Sequence, residues 1–127
     1  MEPVSEFKSK SGLKRIASAL GYSIQGLRAA WQAEHAFRQE IVVFVAGSAI
    51  ALALRISAFE KLMLIGVLVL ILIVELINSS IEAVVDRVSL ERHPLSKNAK
   101  DFGSAAVLLA CLLAAAAWAV VLYNRFL

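Results

Sequence analysis

No residue from Phe102 to Tyr123 carries a formal charge. A run of that length can cross a bilayer as a helix, which takes about 20 mainly apolar residues. Its glycine, Gly103, and its many alanines allow close helix packing. Trp118 and Tyr123 are expected to mark one membrane interface. Two further apolar runs precede it. Leu62 to Val85 is long enough to span by itself. Ile41 to Leu54 reaches spanning length once Ala36 and Phe37 are added, with Arg38 and Glu40 snorkelling or paired at the boundary. Composition supports membrane insertion, because 60% of the 127 residues are hydrophobic and the mean hydropathy is +0.75. A soluble domain this small has too little interior for so much apolar side chain. The expected fold is an all-α integral membrane protein forming one domain over residues 1–127. Its spans are 36–54, 62–85 and 102–123, with a polar loop at 86–101 containing Pro94.

Ahead of the spans, Leu13, Ile16, Leu20, Ile24, Leu27 and Trp31 recur every three or four residues. Lys14, Arg15, Ser18, Gln25, Arg28 and Gln32 fall mainly on the other side. This predicts an amphipathic interfacial helix over about residues 12–33. Ser9 or Ser11 could cap it. Gly21 and Gly26 each weaken it by up to about 1 kcal/mol relative to Ala, so a kink or break is expected there.

Ten of the thirteen lysines and arginines fall on one side of the three spans. They are Lys8, Lys10, Lys14, Arg15, Arg28 and Arg38 at the N-terminal end, and Arg87, Arg92, Lys97 and Lys100 in the long loop. Arg55, Lys61 and Arg125 fall on the other. The positive-inside rule then makes the N-terminus and the 86–101 loop cytoplasmic and the C-terminus periplasmic. With net charge +3, the expected partners are anionic headgroups or nucleotide phosphates, not nucleic acid. Cys111 is the single cysteine, so neither an intrachain disulfide nor a cysteine-built metal site can form.

The second span is not uniformly apolar. Glu75, Asn78, Glu82 and Asp86 stand at i, i+3, i+7 and i+11, within about 80° of one another on a helix, with Ser79 beside them. In the expected orientation Asp86 ends the span at the cytoplasmic surface. Glu82 lies about 6 Å below it and Glu75 about 16 Å below. An ionised acid at membrane depth costs about 2.5–3.5 kcal/mol on the insertion scale. Glu75 therefore needs a partner, a water-filled cleft or a proton, as a general base or proton relay does. Glu82 and Glu34 lie at comparable depths by chain order. Two carboxylates with phosphate oxygens suit Mg²⁺, which keeps waters and rarely takes an all-protein cage. His35 and His93 are too sparse for a zinc site. The cations around Arg92 to Lys100 could hold a polyphosphate. The glycine spacing at Gly21 and Gly26 lacks the following Lys-Ser/Thr and a preceding strand, so no P-loop is present. Kinase glycine-loop and catalytic-loop motifs are absent too.

These residues resemble the prokaryotic diacylglycerol kinase family of small membrane lipid kinases. The resemblance covers nearly everything after the first dozen residues. It is carried by Arg15, Gly21-Tyr22-Ser23, Gly26 to Trp31, Glu34 and Phe37-Arg38-Gln39-Glu40. The most specific runs are Glu75 to Arg87 and Ala99 to Val107. The resemblance implies a homotrimer in the bacterial inner membrane. It also implies Mg²⁺-dependent transfer of the ATP γ-phosphoryl group to diacylglycerol or a related lipid alcohol, with Glu75 as catalytic base and Asn78 supporting the site. Glu34 and Glu82 would bind metal. Arg15, Tyr22, Glu91, Arg92, His93, Lys100 and Asp101 would contact nucleotide. Lipid contacts would come from Arg15, Ala19, Leu20, Gly21, Tyr22, Ser23, Ile24, Arg28, Ala29, Ala30, Trp31, Arg38, Glu40, Lys61, Glu75 and Ser104. The residues before Gly12 match nothing in the family. Two rival readings are an undecaprenol kinase of the same fold and a non-enzymatic membrane subunit or proton-coupled carrier using Glu75 as a relay.

Overall fold

The computed structural model describes residues 11–127, which place the expected cap Ser9 outside the described residues. All regular structure among them is α-helical: α1 (Gly12–Ala33), α2 (His35–Ala53), α3 (Ala58–Val88) and α4 (Pro94–Phe126). The last three are long and apolar enough to cross a membrane. Of the described residues, 11–34 belong to one compact unit and 35–127 to another.

In the first unit, α1 runs unbroken for 22 residues. The break expected at Gly21 and Gly26 does not occur. A helix can carry isolated glycines at about 1 kcal/mol each when the rest of its backbone bonds are kept. Ser11 takes the N-cap position, but its side chain makes no cap bond. The apolar stripe from Leu13 through Trp31 is exposed, as an interfacial helix requires.

The second unit is two antiparallel hairpins that share α3. Its helices outrun the spans read from hydropathy. With 31 and 33 residues, α3 and α4 are about 46 and 50 Å long, against a hydrocarbon thickness of about 30 Å. Their ends are set by caps rather than by where charges begin. Ser57 and Glu60 form a capping box, each side chain accepting the other's backbone N–H at 3.1 Å. Pro94 opens α4 at its first turn, and His93 Nδ1 accepts the Leu95 N–H at 3.1 Å. The expected 86–101 loop thus shrinks to residues 89–93, since Asp86 to Val88 extend α3 and residues 94–101 begin α4.

At the end of the bundle away from this loop, Ala51, Leu64 and Val121 bring all three helices together, with Ile56, Ile65 and Trp118 around them. Trp118 turns inward and donates from Nε1 to the Leu64 carbonyl at 3.2 Å. An indole N–H taken out of water needs such a partner. A Cβ at Gly47 would stand 2.6 Å from Leu68 Cδ1, so a side chain there would make Leu68 shift on α3. Glu60 also accepts from Arg125, at 2.6 Å from Nη2, pinning the C-terminal end of α4 to the start of α3. Ala51 is fully buried, so Ala51→Leu should overpack this layer and cost about 1–3 kcal/mol. A lowered melting temperature in detergent is the expected result, and an unshifted one would mean the layer is looser than described.

Candidate functional site

The buried positions of α3 are Leu64, Leu68, Glu75 and Asn78. Their spacing of three, four or seven keeps them on one face. The facing positions of α4 are Gly103, Ala110, Ala114 and Val121, small residues that let the helices approach closely. The polar stripe is therefore the continuation of the packing seam of α3. Its first half is hydrocarbon, and its second half is acid and amide. Exposure rises along it: Glu75 is 6% and Asn78 8% exposed, Glu82 is half-buried and Asp86 exposed.

Three contacts organise the polar half. Glu40 of α2 lies within side-chain hydrogen-bond reach of Glu75. Two carboxyl groups can hydrogen-bond to each other only by sharing a proton. The other Glu40 oxygen, Oε2, is buried and accepts no hydrogen bond from a protein group. Next, Asn78 Nδ2 donates to Glu82 Oε1 at 3.5 Å. Its carbonyl oxygen is buried without a donor and rests against Gly103 of α4. Finally, Lys100 Nζ of α4 donates to Asp86 Oδ1 at 2.8 Å.

Beyond Asp86 the seam opens into a cavity of about 690 Å³ at the α3–α4 bend. Its lining gathers Glu91, Arg92, His93, Lys100 and Asp101, the loop residues singled out in the sequence, with Ser89, Ser96 and Lys97. His93 lines it while serving as the N-cap of α4. Residues 94–101 are polar turns ahead of the apolar stretch. There the Asp101 carboxylate, hydrogen-bonded to Lys97 at 2.6 Å, raises the Lys97 pKa. Asp86 does the same to Lys100, with a smaller push from Glu82. Both ion pairs are well exposed and screened by solvent, so they add little to folding. Their consequence is a fixed set of ammonium groups at the cavity wall.

Other residues named in the sequence lie elsewhere. Lys61 is at the far end of α3, where Nζ donates to the Leu52 carbonyl at 2.8 Å and closes the C-terminal turn of α2. Ser104 is exposed on α4 beside Gly103, and Arg38 is half-buried on α2. Arg15, Ala19, Leu20, Gly21, Tyr22, Ser23, Ile24, Arg28, Ala29, Ala30 and Trp31 belong to α1. Of these, Ala30 is buried, and Ser23 Oγ donates back to the Ala19 carbonyl at 2.8 Å. Glu34 is half-buried at the C-cap of α1, its N–H donating to the Ala30 carbonyl. The contacts that sequence reasoning missed are Glu40 against Glu75 and Gly103 against Asn78. Pairing residues at equal distances from each turn of an antiparallel hairpin would have found both.

Fold and site together define a class: an all-α membrane protein in which a buried acid–amide seam leads to a polar cavity lined by three cations and three carboxylates. A family profile described as Prokaryotic diacylglycerol kinase matches residues 21–122. Diacylglycerol kinase of Pseudomonas aeruginosa is 53% identical over 118 residues, covering 93% of this chain and 96% of that protein. Diacylglycerol kinase of Escherichia coli K12 is 49% identical over 116 residues, 91% and 95% of the two chains. That of Helicobacter pylori J99 is 41% identical, with coverage of 91% and 92%. The chain belongs to the prokaryotic diacylglycerol kinase family.

Proposed function

We propose that the protein transfers the γ-phosphoryl group of ATP to the free hydroxyl of diacylglycerol, giving phosphatidic acid and ADP. The observation that carries this reading is the polar seam of α3, from buried Glu75 and Asn78 through Glu82 to Asp86, where a cavity carrying Arg92, Lys97 and Lys100 opens. Phosphoryl transfer asks a protein to position two substrates, neutralise phosphate charge and take up the hydroxyl proton. Arg92, Lys97 and Lys100 in the cavity wall suit the polyphosphate, and a buried acid below them suits a lipid hydroxyl arriving sideways through the bilayer.

In this reading the acceptor oxygen forms its bond to the γ-phosphorus as the bond to the ADP oxygen breaks. The hydroxyl proton passes to Glu75. Glu40 of α2 stands beside it within hydrogen-bond reach. Lys100, Lys97 and Arg92 face the phosphate side. Bound Mg²⁺ would neutralise phosphate charge, and Glu82 suits it as a carboxylate beside that cavity. Among the described residues no three His, Cys, Asp or Glu side chains are placed to hold a metal ion together. That is compatible with an ion held by one or two carboxylates together with phosphate oxygens. Glu34 as second metal ligand and Arg15 and Tyr22 as nucleotide contacts rest on family resemblance alone. So do the homotrimer, the inner membrane and the lipid contacts along α1. The cytoplasmic N-terminus follows from the positive-inside count.

The nearest alternative acceptor is undecaprenol, a polyprenyl alcohol, with the same catalytic residues. The test is ³²P transfer from ATP to each lipid in mixed micelles with purified protein. Diacylglycerol should be the faster acceptor. Equal rates, or a faster polyprenol, would overturn the assignment. Absence of transfer to either would favour the carrier reading.

A further inference from the structure

Asn78 Oδ1 has no hydrogen-bond donor, although it is buried. Buried amide oxygens are nearly always paired, so an unpaired one needs a reason. The orientation of the amide supplies part of it. Glu82 is a carboxylate when ionised and can only accept, so the amide nitrogen must face it and the oxygen must point the other way. The oxygen then meets α4 at Gly103, which is buried. A Cβ added there would overlap Asn78 Oδ1 and stand 3.2 Å from Asn78 Cγ. The obstructing atoms belong to a short side chain whose other end makes a long contact of 3.5 Å to Glu82, so moving aside disturbs that contact.

We infer that Gly103 is a positioning residue. By presenting no side chain, it lets the Asn78 amide lie across the α3–α4 seam with its nitrogen on the Glu82 carboxylate, one turn below Asp86 at the cavity wall. Gly66 makes the contrast. It is also a glycine inside a spanning helix, but nothing lies within 4 Å of a Cβ built on it. The conformational freedom of glycine is therefore not what Gly103 supplies, since its backbone is ordinary helix without positive φ. The missing Cβ is. The consequence for turnover rests on the metal role proposed for Glu82, whereas the position of the amide does not.

Two measurements separate those levels. In detergent micelles, the side-chain amide signals of Asn78 are identified by their loss in Asn78→Ala. They should shift in Gly103→Ala and stay in place in Gly66→Ala. Unmoved signals in Gly103→Ala would overturn the proposal. In kinase assays, Gly103→Ala should lower kcat by on the order of tenfold to a hundredfold, the usual scale for a misplacement of about 1 Å. The Mg²⁺ needed for half-activation should rise with it, and KM for the lipid should hold. Introduced into Asn78→Ala, the same change should cost nothing further, because its only route of action has gone. An equal loss in both backgrounds would overturn the proposal too. Shifted signals with unchanged turnover and Mg²⁺ dependence would leave the contact standing and remove Glu82 from the metal site.

Discussion

Glu75→Gln should lower turnover a hundredfold or more while leaving KM for ATP near its original value. General acid–base groups typically contribute 10²–10⁴-fold, and an amide cannot take up the acceptor's proton. The spared KM follows from geometry. Glu75 is eleven residues before Asp86 on one helix, about 16 Å along the axis, while the cavity begins at Val85 and Asp86. The glutamine side chain has the same size and can still hydrogen-bond to Glu40, so the α2–α3 seam should close as before. Glu40→Gln should cost less, because Glu75 then keeps a hydrogen-bond donor and remains the acceptor. Initial rates over a matrix of ATP and lipid concentrations check both. Near-normal turnover in Glu75→Gln would remove it from the chemistry, and a loss in Glu40→Gln exceeding that of Glu75→Gln would exchange their roles.

The spans and the stripe were legible because transfer cost leaves a strong mark on sequence. A carboxylate recurring on one face of an apolar helix has few inexpensive explanations. The order of exposure from Glu75 to Asp86 also followed from chain direction alone. Side-chain partners were less accessible, because hydropathy says which segments leave water and not which face of each meets its neighbour. The information was nonetheless present in the short turns. In the α2–α3 hairpin, Leu52 with Lys61, Gly47 with Leu68 and Glu40 with Glu75 are placed nearly symmetrically about one turn. In the next hairpin the same holds of Leu64 with Trp118, Asn78 with Gly103 and Asp86 with Lys100. Helix ends were misjudged for a related reason. Charged residues such as Asp86 and Lys97 were read as loop, yet a helix stops where its caps are, and Ser57 with Glu60, or His93 with Pro94, carry that signal locally.

Glu82→Gln should act on the other substrate. Its phenotype should be a rise of roughly ten- to a hundredfold in the Mg²⁺ concentration for half-activation, the scale on which metal-site changes usually register. Glutamine keeps an oxygen to accept from Asn78 Nδ2, so the amide contact with Gly103 should survive and the fold with it. What it loses is the negative charge one turn below the Asp86–Lys100 pair. Mg²⁺ binds carboxylate and phosphate oxygens far better than a neutral amide, so excess metal should recover part of kcat in this variant. It should recover none in Glu75→Gln, where the missing function is proton acceptance. Titrating Mg²⁺ at saturating ATP and lipid for both variants makes the comparison. An unchanged titration for Glu82→Gln would remove Glu82 as a ligand. Recovery of Glu75→Gln by excess Mg²⁺ would move Glu75 from proton transfer to metal binding, and the acid–amide seam would then serve the nucleotide along its whole length.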